Sequence, residues 1–477
     1  MYVRVDEAFR EWWISKGRDP IPDGYVLPVK HALQGHPESP RLWSRLIDKI
    51  IREKVKLQPT VHEPCLYHGK IDNEEVYLMR QVDDFAVASK NIHTSNKVID
   101  MISSHLSVPM HHLGIIDRFN GVDVLQTKDF VKVYNKTYID KILEGYDWTA
   151  TENKIHTHPI PMRDDMPFMN RLDTELGPNI HDDPKGYATV EKENGFKYRK
   201  ALGELLFCMV TCRPDISFPV IKLAKFSNSP SSIHYQAVKN VFRYLRATKE
   251  HGLHFWRKDS LHVNHLPKIP PPALYHIQNQ ILQQTIDQLI AFVDADWGQD
   301  KNSRKSVTGI AMMFAGCVVY YKTKYQSTVA HSTTEAEFTA ACDAAKVTLY
   351  IRSILEELNI PQEHATIIYE DNAGALNMAN AGQPTRRTRH MDIKTFSLQD
   401  WIEEDLVLLH DIETSSNISD TFTKQLGRNL FWKHTDTLMG RRYPQYYTGT
   451  YTHTNDCTAP IISRLIGAWG GCCAECT

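Results

Sequence analysis

The segment Leu289-Ile-Ala-Phe-Val-Asp-Ala-Asp296 constrains the fold most, because five apolar residues in a row run straight into acids. A short apolar run of this kind reads as a buried strand that carries a carboxylate to its end. The pattern after it alternates. Ser306–Phe314 and Cys317–Thr323 read as a hairpin about Ala315-Gly316. Ser332-Thr333-Thr334-Glu335-Ala336-Glu337 opens a helix reaching to about Leu358, with apolar Phe338, Cys342, Ala345 and Leu349 at spacings of four, three and four. Ala365–Tyr369 is a further strand passing into Glu370-Asp371-Asn372. A helix over His390–Glu404, a strand over Leu406–Ile412 and a short helix over Ile418–Leu426 follow.

Two stretches interrupt such patterning. Residues 162–194 are rich in Asp, Pro, Gly and Asn and read as an inserted surface loop. Residues 258–288 carry Pro267, then Pro270-Pro271-Pro272, then Gln-rich sequence, which reads as a linker. The expected organisation is therefore mixed strand and helix over 1–161, the loop, helices over 195–257, the linker, the alternating block over 289–440, and a disordered tail over 441–477. Composition limits the function. With 477 residues, 42% hydrophobic, and 55 Lys+Arg against 57 Asp+Glu, the bulk of the chain is globular and not a basic nucleic-acid coat. The longest apolar run, Thr308–Tyr321, falls short of the ~20 residues that span a bilayer. The charged start MYVRVDEAFREWW is no signal peptide, and nine scattered cysteines fit a reducing compartment. A soluble, intracellular, multidomain protein with no membrane partner is expected.

Asp294, Glu337 and Asp371 stand at a strand, a helix start and a strand end, so only folding can bring them together. Clustered carboxylates need cations, and oxygen ligands suit Mg²⁺. Two such ions about 3.5–4 Å apart activate a water and stabilise the leaving oxygen in phosphodiester cleavage.

The phrases FVDADWG, RKSVTG, STTEAEF, YEDNAGA, TRHMDI and NISDTFTKQL, in this order over about 289–430, closely resemble the ribonuclease H domain of copia-type LTR retrotransposon polyproteins. The resemblance implies that Asp294, Glu337, Asp371 and Asp420 are the catalytic, metal-binding acids, with Mg²⁺ (or Mn²⁺) as cofactor and an RNA–DNA hybrid as substrate. Glu337 is preferred because Glu337-Phe338-Thr339-Ala340 meets the family pattern, and Glu335 is the alternative, as a helix-start residue favoured by the dipole. Asp296 is set apart from the metal-binding acids. His390 and Asp392 belong to a packed helix or to the substrate side, and Arg386, Arg387 and Arg389 are either phosphate contacts or a solvated charge run.

Upstream, EVYLMR leads into Gln81-Val82-Asp83-Asp84 and then Phe85-Ala-Val-Ala88, a hairpin with two acids at its turn. KHALQGHPESPRLW, HEPCLY, HHLGIIDRFNGVDV, NKTYIDKIL and HPIPM resemble the same family's reverse transcriptase palm and thumb phrases, which implies that Asp83 and Asp84 bind metal in a polymerase site. Gln81 departs from the family's aromatic residue, and the family's first palm aspartate has no good counterpart, Asp6 in VDEAF being poorly spaced. The expectation is a chain that begins after that aspartate, with incomplete polymerase activity. Primer-template and deoxynucleoside triphosphates would then be partners only if the polymerase is completed.

YRKALGELL and TCRPDI resemble the thumb phrases. Lys239, Arg243, Arg246 and Lys249 recur at four, three and three residues, either a basic face for duplex phosphates or a solvated face of a core helix. Cys208 and Cys212 read as core, and Cys472, Cys473 and Cys476 lack a matching second ligand set for zinc. The fold class expected is α+β or α/β multidomain. It comprises a partial polymerase palm and helical thumb, followed by a ribonuclease H-like mixed sheet with flanking helices. The function expected is hybrid cleavage by two-metal hydrolysis, and the rival is a catalytically silent retroelement remnant that only binds nucleic acid or partners.

Overall fold

The computed structural model describes residues 2–28, 35–148, 160–257, 287–298, 300, 303–380 and 392–441. A ribbon of β1 (Tyr2–Arg4) and β2 (Val26–Pro28) encloses α1 (Glu7–Ser15), and α2 (Ser39–Ile50) follows. Then β3 (Gln58–Pro59), β4 (Leu66–Ile71), β5 (Glu74–Gln81) and β6 (Asp84–Ala88) form an antiparallel sheet in that order, backed by α3 (Ile92–Ser103). Its core joins Ile47, Ile51 and Val55 to Leu78, Val98 and Ile102.

A second antiparallel sheet takes β7 (Arg118–Phe119), β8 (Val122–Gln126) and β9 (Phe130–Tyr134), and α4 (Lys136–Gly145) follows. Residues 162–194 are not the loop expected. They hold α5 (Met166–Thr174) and α6 (Pro184–Asn194). The Asp, Pro and Gly that suggested a loop are helix punctuation. The Asp165 side chain accepts from the Phe168 N–H at 3.0 Å and that of Asp183 from the Gly186 N–H at 2.9 Å. Prolines occupy both first turns, and Gly195 at φ +82° ends α6. The helices α7 (Tyr198–Thr211), α8 (Ser217–Ala224) and α9 (Ser232–Ala247) pack around Tyr198, Leu205, Val220, Val238 and Val241. Cys208 and Cys212 are buried thiols.

The expectation of helix throughout 195–257 is also corrected. Gly252–Trp256 is a strand, β10, paired antiparallel to β9 from Gly252↔Tyr134 to Trp256↔Phe130. All five of its residues are buried, and large side chains on both faces suit a strand packed on two sides.

The C-terminal sheet is β11 (Ile290–Asp296), β12 (Val307–Phe314), β13 (Cys317–Tyr325), β14 (Thr366–Glu370) and β15 (Val407–Asp411), in the order β13-β12-β11-β14-β15. β11 runs antiparallel to β12 and parallel to β14, which is parallel to β15. α10 (Thr333–Glu357) crosses between β13 and β14 and lies on the sheet through buried Ala336, Ala340, Ala341, Ala344 and Ala345. Small side chains there let the helix axis approach the strands closely. The helices α11 (Ala373–Asn380) and α12 (Asp392–Glu403) link β14 to β15, and α13 (Asp420–Thr423) and α14 (Arg428–Leu438) follow.

One hydrophobic core runs from this sheet into Leu66, Tyr77 and Met79 of the first sheet and Val133, Leu253 and Phe255 of the second. A polar tie crosses the same seam, Tyr77 Oη donating to the Leu358 carbonyl at 3.2 Å, and Gln425 Nε2 donates to the carbonyl of Met162, in the helical core, at 2.6 Å. No helix among the described residues is long and apolar enough to cross a membrane. The tail from 442 onward, with Cys472, Cys473 and Cys476, and the linker residues 258–286 lie outside the described residues.

Candidate metal centre

Asp294 is the last residue but two of β11, where the register sets it opposite Gly309 of β12. A Cβ at Gly309 would lie 2.7 Å from Thr423 Cγ2 and 2.9 Å from both Phe422 Cβ and the Ser419 carbonyl. The missing side chain is therefore what lets α13, which opens on Asp420, settle over the strand. Asn417 Nδ2 fastens the approach to α13 by donating to the Val293 carbonyl at 2.9 Å.

Glu337 reaches the same place from the start of the second turn of α10. Ser332 caps that helix by accepting from the Glu335 N–H at 3.1 Å, and Glu335 in turn accepts from the His331 N–H at 2.8 Å. This reciprocal cap commits Glu335 to the helix end. Asp371 follows the last residue of β14, and Asn372 then accepts from the Ala375 N–H at 3.0 Å to start α11. Asp296 is half-buried at the end of β11, outside the acid groups.

Folding thus gathers two overlapping groups. Carboxylate oxygens of Asp294, Asp371 and Asp420 lie within 4.8 Å of one another, and so do those of Glu337, Glu370 and Asp371. Asp294, Glu337, Glu370 and Asp420 are all buried, at 3, 6, 0 and 2% exposure. Loss of water, reinforced by neighbouring acids, disfavours their charged forms. The Glu337 carboxyl is pushed up to about 11 by burial, with Glu370, Asp294 and Asp371 adding repulsion. Asp420 rises to about 7 through burial and Asp294, and the carboxyls of Asp294 and Glu370 also rise, chiefly through burial. Lys424 lies 2.8 Å from Asp420 and 3.7 Å from Asp294. Burial works against its charge, but these carboxylates more than offset it and hold its pKa above the ordinary lysine range. The Thr423 hydroxyl donates to Asp294 Oδ2.

The donor set is all oxygen and strongly anionic, and Glu337 Oε2 and Glu370 Oε2 are buried without a hydrogen-bond partner. A hard divalent cation fits both features, since it would satisfy the orphaned oxygens and relieve the repulsion.

Glu370, Lys424, Thr423 and Gly309 were not picked out from the sequence as site residues. Each stands inside a phrase that was, YEDNAGA, NISDTFTKQL or RKSVTG. Alternation along a strand would send the adjacent Glu370 and Asp371 to opposite faces. The strand ends between them, and the rule ends with it.

In the first sheet, β5 and β6 close on the pair Gln81↔Asp84, so Val82 and Asp83 form the turn and Asp84 opens β6. Both aspartates are exposed, and among the described residues neither joins a group of three candidate ligands. Val82 has φ +57°, and its carbonyl accepts from Trp43 Nε1 at 2.8 Å, which anchors the turn to α2.

Lys239, Arg243 and Arg246 of α9, and Lys249 just past its cap, are half-buried, and each is bonded within the chain. Lys239 donates to the Asn194 carbonyl at 3.1 Å, Arg243 to Asn240 at 2.8 Å, Arg246 to the Trp148 carbonyl at 3.0 Å and Lys249 to Asp140 at 2.8 Å. Three of them line a pocket with Leu143, Trp148 and Phe242. The stripe is thus half-buried and internally bonded, unlike a freely solvated face. Arg386, Arg387, Arg389 and His390 lie outside the described residues, as does the side chain of Asp392.

Residues 21–162 match the family model described as reverse transcriptase (RNA-dependent DNA polymerase). The chain is 26% identical to a retrovirus-related Pol polyprotein from transposon TNT 1-94 of Nicotiana tabacum, over 85% of this chain and 27% of that protein. It is 24% identical to one from transposon RE1 of Arabidopsis thaliana, over 88% of this chain and 25% of that protein. The chain thus spans about a quarter of the length of these relatives. A solved structure of an RNase H1 isolated from compost aligns with 29% of this chain and 93% of that one at 13% identity, with a TM-score of 0.24. Matches of this reach, through the reverse transcriptase segment and on to most of the remaining chain, make this protein a member of the copia-type retrotransposon Pol family.

Proposed function

We propose that the C-terminal block cleaves the RNA strand of an RNA–DNA hybrid by metal-assisted hydrolysis, the reaction of ribonuclease H. The observation that carries this reading is the convergence of Asp294, Glu337, Asp371 and Asp420 from β11, α10, the end of β14 and α13. Mg²⁺ or Mn²⁺, when bound, would supply an activated water and stabilise the leaving oxygen. Asp294, Asp371 and Asp420 would hold one ion, and Glu337 with Asp371 the other. The chain's own contribution is to hold these carboxylates in fixed positions against their repulsion. Gly309, Asn417 and the Ser332 cap set the elements, while Lys424 and Thr423 orient Asp294 and Asp420. A hybrid would be recognised by shape, phosphates and the 2′-hydroxyl, with Lys239, Arg243 and Arg246 of α9 and Lys249 just beyond it adding positive charge toward the backbone.

The hairpin bearing Asp83 and Asp84 is read as the polymerase palm, where both acids would bind metal beside primer-template and a deoxynucleoside triphosphate. No third acid converges on them among the described residues, so hybrid cleavage is the activity proposed for these residues by themselves. The test incubates the protein with a labelled RNA–DNA hybrid and Mg²⁺ beside Asp371→Asn. Cleavage by the wild type that the variant loses is expected. No cleavage by the wild type, or equal cleavage by both, would leave the silent-remnant reading.

A further inference from the structure

The two sides of Asp371 are unequally supplied with cations. Toward Asp294 and Asp420 the Lys424 ammonium is already in ion-pair contact, and Thr423 donates a hydrogen bond. Toward Glu337 and Glu370, one oxygen of each carboxylate is buried and has no partner. The other Glu370 oxygen accepts from the Asn372 N–H at 2.9 Å, and Glu337 accepts from the Ala295 N–H. Glu370 is completely buried, and its carboxylate lies within 4.8 Å of those of Glu337 and Asp371. A buried carboxyl left without a partner is costly, and those of Glu337 and Glu370, with half-buried Asp371 beside them, would repel unless something positive joins them.

We propose that Glu370 is a fifth metal ligand, completing with Glu337 and Asp371 a three-carboxylate position that a first hard divalent cation fills. The oxygen-only donor set selects such a cation over softer metals. The proposal deepens the ribonuclease reading, on which its functional meaning rests, and the binding it describes can be measured without any cleavage. Glu337 and Asp371 come from the start of a helix and the end of a strand, while Glu370 is fixed by the β14–β15 ladder, where the Ile412 N–H bonds its carbonyl at 3.2 Å. It therefore brings a rigid ligand to the position.

The full chain is titrated with Mn²⁺, free ion is followed by electron paramagnetic resonance, and thermal unfolding is recorded with and without the metal. The wild type is expected to bind Mn²⁺ saturably and to gain Tm. Glu370→Gln is expected to weaken the tighter event by about 10–100-fold, to lose most of the metal-induced gain, and to equal or exceed the wild-type Tm without metal. Glu363→Gln, at an exposed position in the same block, is expected to behave as wild type. Where Glu370→Gln does not fold, Glu370→Asp, which keeps the charge but withdraws it by one methylene, is expected to weaken binding about tenfold. Unchanged Mn²⁺ affinity in these Glu370 variants, or a wild type that binds no Mn²⁺, overturns the proposal. Binding through Glu370 by a protein that leaves the hybrid intact upholds it and sinks only the ribonuclease reading.

Discussion

Two sets of acids in this chain meet opposite fates. Asp83 and Asp84 stand on an exposed hairpin, while Asp294, Glu337, Glu370 and Asp420 are buried around Asp371. Water solvates the first pair at little cost, so its geometry does not by itself require a cation. The buried set has lost that water, and its carboxyls are driven toward protonation unless positive charge is supplied. Burial, more than the number of acids, gives the second site its hold on metal.

The contrast can be broken most directly by activity. Asp371→Asn is expected to lower hybrid cleavage by roughly 10³-fold or more, whereas Asp83→Asn with Asp84→Asn leaves the rate unchanged in the same gel assay. Loss of cleavage in the double variant would show the two sites to be coupled. Next in size, Gly309→Ala forces α13 away from β11 and should cost about 1–3 kcal/mol by urea unfolding. It should also reduce cleavage, because Asp420 moves with the helix.

A third test uses pH. Asp294, Glu337, Glu370 and Asp420 bind protons more tightly folded than unfolded. The stability this contributes is full below about pH 4 and is lost as pH rises through the folded values, about 7 for Asp420 and about 11 for Glu337. The Lys424 ammonium faces the cluster, and its raised value acts in the same direction, at higher pH. In calorimetry with EDTA, Tm should fall by about 3–5 °C between about pH 6 and pH 9. Glu337→Gln should flatten that fall, and Mn²⁺ should oppose it. The smallest effect belongs to the exposed hairpin. Val82 is a β-branched residue at φ +57°, so Val82→Asn should stabilise the fold by about 0.5–1 kcal/mol without touching the buried site.

Much of the C-terminal block was legible because its signals are local. The run Leu289–Asp296, the Ala315-Gly316 turn and the Ser332 cap each specify an element from a few neighbouring residues. The misread stretches had ambiguous local signals. Asp, Pro and Gly mark loops and helix ends alike, so α5 and α6 looked like one loop until Phe168, Leu172 and Tyr187 found a core. β10 was hidden in a helical neighbourhood because its partner, β9, lies more than a hundred residues earlier.

By itself the sequence determined that acids would close a strand, open a helix and end a second strand, since apolar period and capping chemistry act over short range. Only the tertiary structure decided which acids share a site and what each one feels there. It put Glu335 into a cap and Glu337 into the cluster, added Glu370, and set Lys424 against Asp420. Those outcomes depend on burial and on distances between residues far apart in the chain, and electrostatic energy responds to both far more than to sequence neighbours.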